Sequence, residues 1–244
     1  MNPWIATLAV LLGYVLGAIS FTRIVGHYIA PGGDMGKADI PIRGSDKTFH
    51  LRSYGATSIR AKAGAKYGCL TSSLDMIKVT LPTLVFRLLY PEADYFLIAA
   101  AGGVAGHNFP IYYKLKGGRG FSPIYGGLLV IDWLAIPVTT LLGSMAGFWI
   151  LRYAFVSYFG VTLLLIPWFW FRFPERAYFI YAVAVNVFFW IASIPELRMY
   201  LAYKRAGEFD KAGRFEGLDD EFTCGPLIQC ARRLGLLKDK TKHV

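Results

Sequence analysis

Charge is scarce in this chain: only 17% of its 244 residues are Asp, Glu, Lys or Arg. Acidic residues are the scarcer kind, 16 against 26 Lys and Arg, which leaves a formal net charge of +10. Soluble domains carry about 25% charged residues, so an ordinary water-soluble fold is excluded. Cysteine is nearly absent. Cys69, Cys224 and Cys230 match no zinc spacing and read as free thiols on a reducing side. There is no G-x-S-x-G elbow and no Cys–His spacing, so nothing in the text announces a covalent nucleophile. The first apolar run lacks a basic leader and an A-x-A site, so no cleavable signal peptide is expected. No internal repeat or low-complexity tract is visible.

What the chain does have is apolar length. Hydrophobic residues make up 55% and aromatics 16% of it, and the mean hydropathy is +0.42. Several runs approach the roughly 20 apolar residues that a spanning helix needs. The expected fold is all-α, a polytopic integral membrane protein of about seven transmembrane helices. They cover residues 3–28, 67–90, 95–113, 121–134, 137–151, 155–171 and 177–201. The fourth and fifth are short, so a broken helical hairpin is expected there. Residues 1–203 would form the membrane domain and 204–244 a cytoplasmic tail. Within that tail, 226–238 (PLIQCARRLGLLK) has an apolar stripe suited to an interfacial helix.

The cations set the orientation. Residues 29–66 hold Lys37, Arg43, Lys47, Arg52, Arg60, Lys62 and Lys66, and further clusters lie at 114–120 and 198–244. The opposite side has only Arg172 and Arg176, with Arg87 near it. The positive-inside rule then places the N-terminus outside and the C-terminus in the cytoplasm. The net positive charge belongs to this topology, and no nucleic-acid partner is implied.

The most chemically loaded stretch is 106–123, GHNFPIYYKLKGGRGFSP. Lys116 and Arg119 stand in a turn with Gly117, Gly118 and Gly120. If those glycines adopt positive φ, successive N–H groups can converge on one anion beside both cations. A plain topological loop is the competing reading. By rise per residue, Asp75, Lys78 and His107 lie at similar depth below the cytoplasmic face. Asp75 and Lys78, three apart, share one helix face and can pair. His107 is either a satisfied core histidine or a group that orients substrate, with general-base catalysis among its options.

These residues resemble a known family, the acyl-phosphate-dependent glycerol-3-phosphate acyltransferases of the PlsY type. That family shows G-S-I-P-F-like text in the first helix, then G-S-G-N-x-G-A-T-N, L-D-x-x-K-G and G-H-x-F-P-V-x-x-x-F-K-G-G-K-G. Here stand GAISF at 17–21, RGS at 43–45, GATS at 55–58, LDMIK at 74–78 and GHNFPIYYKLKGGRG at 106–120. Order and spacing agree over about residues 10–130. The departures are local. Nine residues separate Ser45 from Gly55 where the family has three, so Ser45 and Ser53 both stand for the family serine. Ser58 and Arg119 replace Asn and Lys, the following Arg is shifted to Arg60, and SIPEL at 193–197 replaces H-x-x-N-I.

The resemblance implies a membrane acyltransferase that moves a fatty acyl group from acyl phosphate to glycerol 3-phosphate. Its product is lysophosphatidic acid, and it works at the cytoplasmic side of a bacterial inner (plasma) membrane. It implies His107, Ser45 (or Ser53) and Arg60 as catalytic residues. Lys116, Gly117, Gly118, Arg119, Gly120, Gly55, Thr57 and Ser58 would bind phosphate. Membrane lipid is implied as a partner, and no cofactor or metal. The H-x-x-x-x-D signature of other membrane acyltransferases is absent, since Tyr112 stands five residues after His107. Two alternatives stay open: a non-catalytic lipid-binding subunit on the same scaffold, and an acyltransferase with another acceptor.

Overall fold

A computed structural model describes residues 1–41, 48–146 and 154–206. Helix α1, Pro3–Gly17, starts where Asn2 accepts from the Trp4 N–H and Pro3 occupies the first turn. It breaks at 18–20 and resumes as α2, Phe21–Ile29. Strands β1, Ala38–Pro41, and β2, Thr48–Leu51, form an antiparallel hairpin with Asp39 opposite His50. Then follow α3, Ala56–Ala63, and the long α4, Ala65–Leu89. Helix α5, Tyr95–Asn108, leads through a 3-10 turn, Ile111–Tyr113, into the glycine loop. The chain continues with α6, Phe121–Ile131, α7, Ala135–Met145, α8, Ala154–Arg172, and α9, Arg176–Arg205.

Among the described residues, three runs are long and apolar enough to cross a membrane: Pro3–Ile29, Ala65–Leu89 and Arg176–Arg205. Shorter apolar helices are Phe121–Ile131, Ala135–Met145 and Tyr158–Arg172. The helical bundle matches the expected class. It differs in detail: residues 29–66, expected as a polar loop, contain a β-hairpin and α3. The third helix also stops at Asn108, short of the predicted 113. A break falls between the fourth and fifth helices: α6 has 11 residues, about 16 Å at 1.5 Å per residue, and α7 is described as far as Met145. Asp132 marks the break. Its carboxylate accepts from Leu134 N–H at 3.3 Å, Trp168 Nε1 at 2.9 Å and Arg172 Nε at 3.1 Å. The tail from 207 onward, with its 226–238 stripe, lies outside the described residues.

The core is built around α5. Its Ala99, Ala100, Gly102, Gly103 and Gly106 are buried. Gly13 and Gly17 of α1 meet it four residues apart, and a Cβ on either would overlap a carbonyl oxygen, that of Ala99 or of Gly103. Lipid provides no hydrophobic drive between helices, so association rests on this backbone-to-backbone contact. The crossing also aims the glycine loop. Tyr14 of α1 donates its hydroxyl to Phe109 O at 2.7 Å and accepts from Ile111 N at 3.1 Å, fixing the exit from α5.

Candidate active site

The break between α1 and α2 leaves the Ile19 carbonyl without a helical partner, and Lys78 of α4 donates to it at 2.7 Å. The same ammonium lies 2.7 Å from Asp75 Oδ1 and 2.9 Å from His107 Nδ1. All three side chains are nearly fully buried. An ammonium has donors and no acceptor, so its 2.9 Å contact makes the His107 nitrogen the acceptor. Nδ1 of His107 therefore accepts, and the ring proton sits on Nε2. His107 is held as a donor. General-base action, one of the options open from the sequence, is disfavoured by this tautomer.

The glycine loop folds back over His107. Gly118 N–H donates to His107 O at 3.1 Å, and Tyr54 N–H donates to Gly117 O at 3.0 Å. A Cβ on Gly117 would overlap the His107 carbonyl, and one on Gly118 would overlap His107 Nε2. Gly120 alone of the three has positive φ, at 90°. The left-handed residues before it are Lys114 and Leu115, at φ 54° and 60°. The expected run of positive-φ glycines with N–H groups converging on one anion is thus not what forms. Gly117 and Gly118 are needed for close approach, and the Gly118 N–H is already bound.

The loop divides two cavities. The first, of about 330 Å³, is lined by Ser53, Gly55, Thr57, Arg60, His107, Arg119 and Gly120. Asp75 reaches its wall, and Tyr125, Tyr158, Val161 and Phe189 give it an apolar side. The second, of about 410 Å³, is lined by Lys116, Gly117 and Gly118. Lys116 and Arg119, expected to close on one anion, therefore face different spaces. Two helices begin at the first cavity, α3 after Gly55 and α6 after Gly120, and neither N-terminus has a side-chain cap. A helix start without a side-chain cap is suited to stabilising an anion. Arg119 donates to Thr57 Oγ1 at 3.2 Å, joining the two starts.

Ser58 is off the cavity. It is fully buried and its hydroxyl donates to the Ser53 carbonyl, so it holds the α3 turn rather than a ligand. Ser45 lies outside the described residues, while Ser53 is on the cavity.

Arg23 was visible in the sequence as an arginine inside an apolar run, but its role was not. Its guanidinium lies 3.5 Å from the Tyr54 ring centroid and 4.0 Å from that of Tyr113, and donates to Lys116 O at 2.8 Å. It clamps the glycine loop to the segment after β2. Tyr54 in turn donates to Asp34 Oδ1 at 2.8 Å. Burial, and then the Asp34 bond, push the Tyr54 hydroxyl above its ordinary range. Burial acts to raise the Asp34 carboxyl, but bonds from Tyr54, Lys37 and Gly36 outweigh it and hold it below the usual value. Glu196, in the SIPEL segment, is 1% exposed, and neither carboxylate oxygen has a hydrogen-bond partner among the described residues.

The glycerol-3-phosphate acyltransferase family profile matches residues 7–202. The glycerol-3-phosphate acyltransferase of Pseudothermotoga lettingae is 31% identical over 173 residues, covering 64% of this chain and 80% of the relative. Glycerol-3-phosphate acyltransferase 3 of Dehalococcoides mccartyi is 28% identical over 217 residues, 81% of this chain and 93% of the relative. The fold is that of the crystal structure of PlsY (YgiH), an integral membrane glycerol 3-phosphate acyltransferase, in its lysophosphatidic acid form. The TM-score is 0.68 at 19% identity, over 88% of this chain and 97% of that one. Its glycerol 3-phosphate form aligns with a TM-score of 0.67. This chain belongs to the glycerol-3-phosphate acyltransferase family.

Proposed function

We propose that the first cavity is where an acyl group passes from acyl phosphate to the hydroxyl of glycerol 3-phosphate, giving lysophosphatidic acid. The observation that carries this is the meeting of two uncapped helix N-termini, Arg60 and Arg119 beside His107 and an apolar wall. Acyl phosphate is a mixed anhydride with a good leaving group. Its enzyme needs chiefly to align the hydroxyl with the carbonyl and to neutralise phosphate charge. The acceptor oxygen bonds to the carbonyl carbon and the carbon–oxygen bond to phosphate breaks. The hydroxyl proton leaves with phosphate, because Asp75 is paired and His107 Nδ1 is occupied. His107 donates a hydrogen bond, Thr57, Ser53 and the α3 amides position the acceptor, and Tyr125, Tyr158 and Phe189 line the acyl path. Gly55 and Gly120 let both helices start against the ligand without a side chain between.

We place this cavity on the cytoplasmic side of a bacterial plasma membrane, with the N-terminus outside. The cation distribution supports that reading. The test is an assay of the purified protein with acyl phosphate and glycerol 3-phosphate, following lysophosphatidic acid. His107→Gln keeps an N–H donor and should retain more activity than His107→Ala. No product from the unaltered protein would overturn the proposal, and equal loss in both variants would overturn the donor role.

A further inference from the structure

Hydroxyls in this bundle are spent in two different ways. Thr71, Thr80 and Thr83 of α4 and Thr139 of α7 each donate to the carbonyl four residues back, at distances between 2.7 and 3.0 Å. That bond satisfies a hydroxyl within its own helix. The hydroxyls on the reaction cavity do otherwise. Ser72 of α4 meets Ser122 of α6 at 2.8 Å, and Tyr125 of α6 pairs with Thr140 of α7. All four residues line the cavity, and among the described residues none of their hydroxyls bonds a backbone carbonyl. Two hydroxyls hold two protons, and the bond between them uses one. Each pair therefore keeps an O–H with no acceptor among the described residues. The packing shows why the serines stand open. Helices α4 and α6 touch at Met76 and Gly126, where a Cβ on Gly126 would overlap the Met76 carbonyl, and Thr80 donates to Gly126 O at 2.8 Å. Ser72 and Ser122 are each one turn back from that contact, on the cavity wall. The lining from α8 and α9 is of the other kind, with Val161 and Phe189. A plain alkyl chain would suit that apolar side but offers the spare protons no acceptor, and an O–H left unbonded away from water is costly.

We propose that the acyl donor of this enzyme carries a hydroxyl close to its carbonyl end, and that the Ser72–Ser122 pair binds it. This rests on the acyl transfer proposed above and names its donor class, a hydroxyacyl phosphate. The ligand hydroxyl accepts the spare serine proton and gives its own to a serine oxygen, which has a lone pair left. Ser122 stands two residues from Gly120 and Ser72 one turn from Asp75, so the bond forms near the reacting carbonyl and not at the far end of the chain. The transfer is unaltered: the acceptor oxygen joins the carbonyl carbon, phosphate leaves, and the chain hydroxyl stays as it is.

Full-length protein in detergent is supplied with glycerol 3-phosphate and either palmitoyl phosphate or 3-hydroxypalmitoyl phosphate, and kcat/KM is compared for the two donors. The hydroxylated donor should be preferred about fivefold, the effect of one neutral hydrogen bond, and Ser72→Ala/Ser122→Ala should bring the ratio back to about one. Both hydroxyls go together in that variant, so neither is left without the other, and circular dichroism and gel filtration verify that it folds. Turnover of palmitoyl phosphate with no preference for the hydroxylated donor overturns this inference and leaves the acyl transfer standing. So does a preference that the double variant keeps. Product from neither donor overturns the acyl transfer itself, and this inference with it.

Discussion

At the scale of single residues, the site rests on one ammonium. Lys78 ties α1, α4 and α5 together through Ile19, Asp75 and His107. Lys78→Met would leave Asp75 buried without its counter-charge, and such a change costs about 3–5 kcal/mol. Thermal unfolding in detergent should show that loss, with much of it recovered in Asp75→Asn/Lys78→Met. A Lys78→Met protein as stable as the parent would contradict the assignment. Arg119→Ala should insert and fold, yet lose at least about tenfold in turnover, the effect of one charged phosphate contact. Unchanged turnover would remove Arg119 from the proposed site. Asp34 gives a pH expectation. Its carboxyl is held below the unfolded value of about 3.9, so the Tyr54–Asp34 clamp is complete above that pH. It is lost as pH falls through the lower folded value. Asp34→Asn should abolish that acid-side loosening, read by proteolysis of the 29–66 segment.

At the scale of elements, the crossing of α1 and α5 is decided by glycine. Gly13 and Gly17 stand four residues apart in GYVLG, and Gly102 and Gly106 repeat the spacing in α5. Gly17→Leu would place a side chain against the Gly103 backbone, with no flexible neighbour to yield. Overpacking of this kind costs about 1–3 kcal/mol or more, and here the helices must separate. Folded yield after detergent extraction should drop sharply, while Leu12→Ala on the exposed face should not change it. The glycine loop obeys a related rule. The motif was legible as text, but the purpose of Gly117 and Gly118 was not. Whether a glycine serves positive φ or close approach depends on what lies above it, and that is His107 and Tyr54 from elsewhere in the chain.

At the scale of the whole molecule, the bundle sets a dry, polar cluster beneath two helix starts and opens it to an apolar wall. A reporter fused after Val244 should report the cytoplasm and one inserted at Glu92 the outside. The reverse pattern would set the cationic loops on the face opposite to cytoplasmic substrates.

Composition and hydrophobic runs determined the class of this protein, because lipid permits few ways to satisfy a backbone and helices announce themselves by length. The same text marked the Asp75–Lys78 pair, since three residues of helix put both on one face, and it marked GHNFP…KGGRG through the family likeness. Tertiary structure alone decided that Lys78 reaches His107, that Lys116 and Arg119 face separate cavities, and that Ser58 is spent on Ser53. The physical reason is the same in each case. Spacing along one helix fixes a face, but which groups meet across helices depends on crossings that carry no local signal.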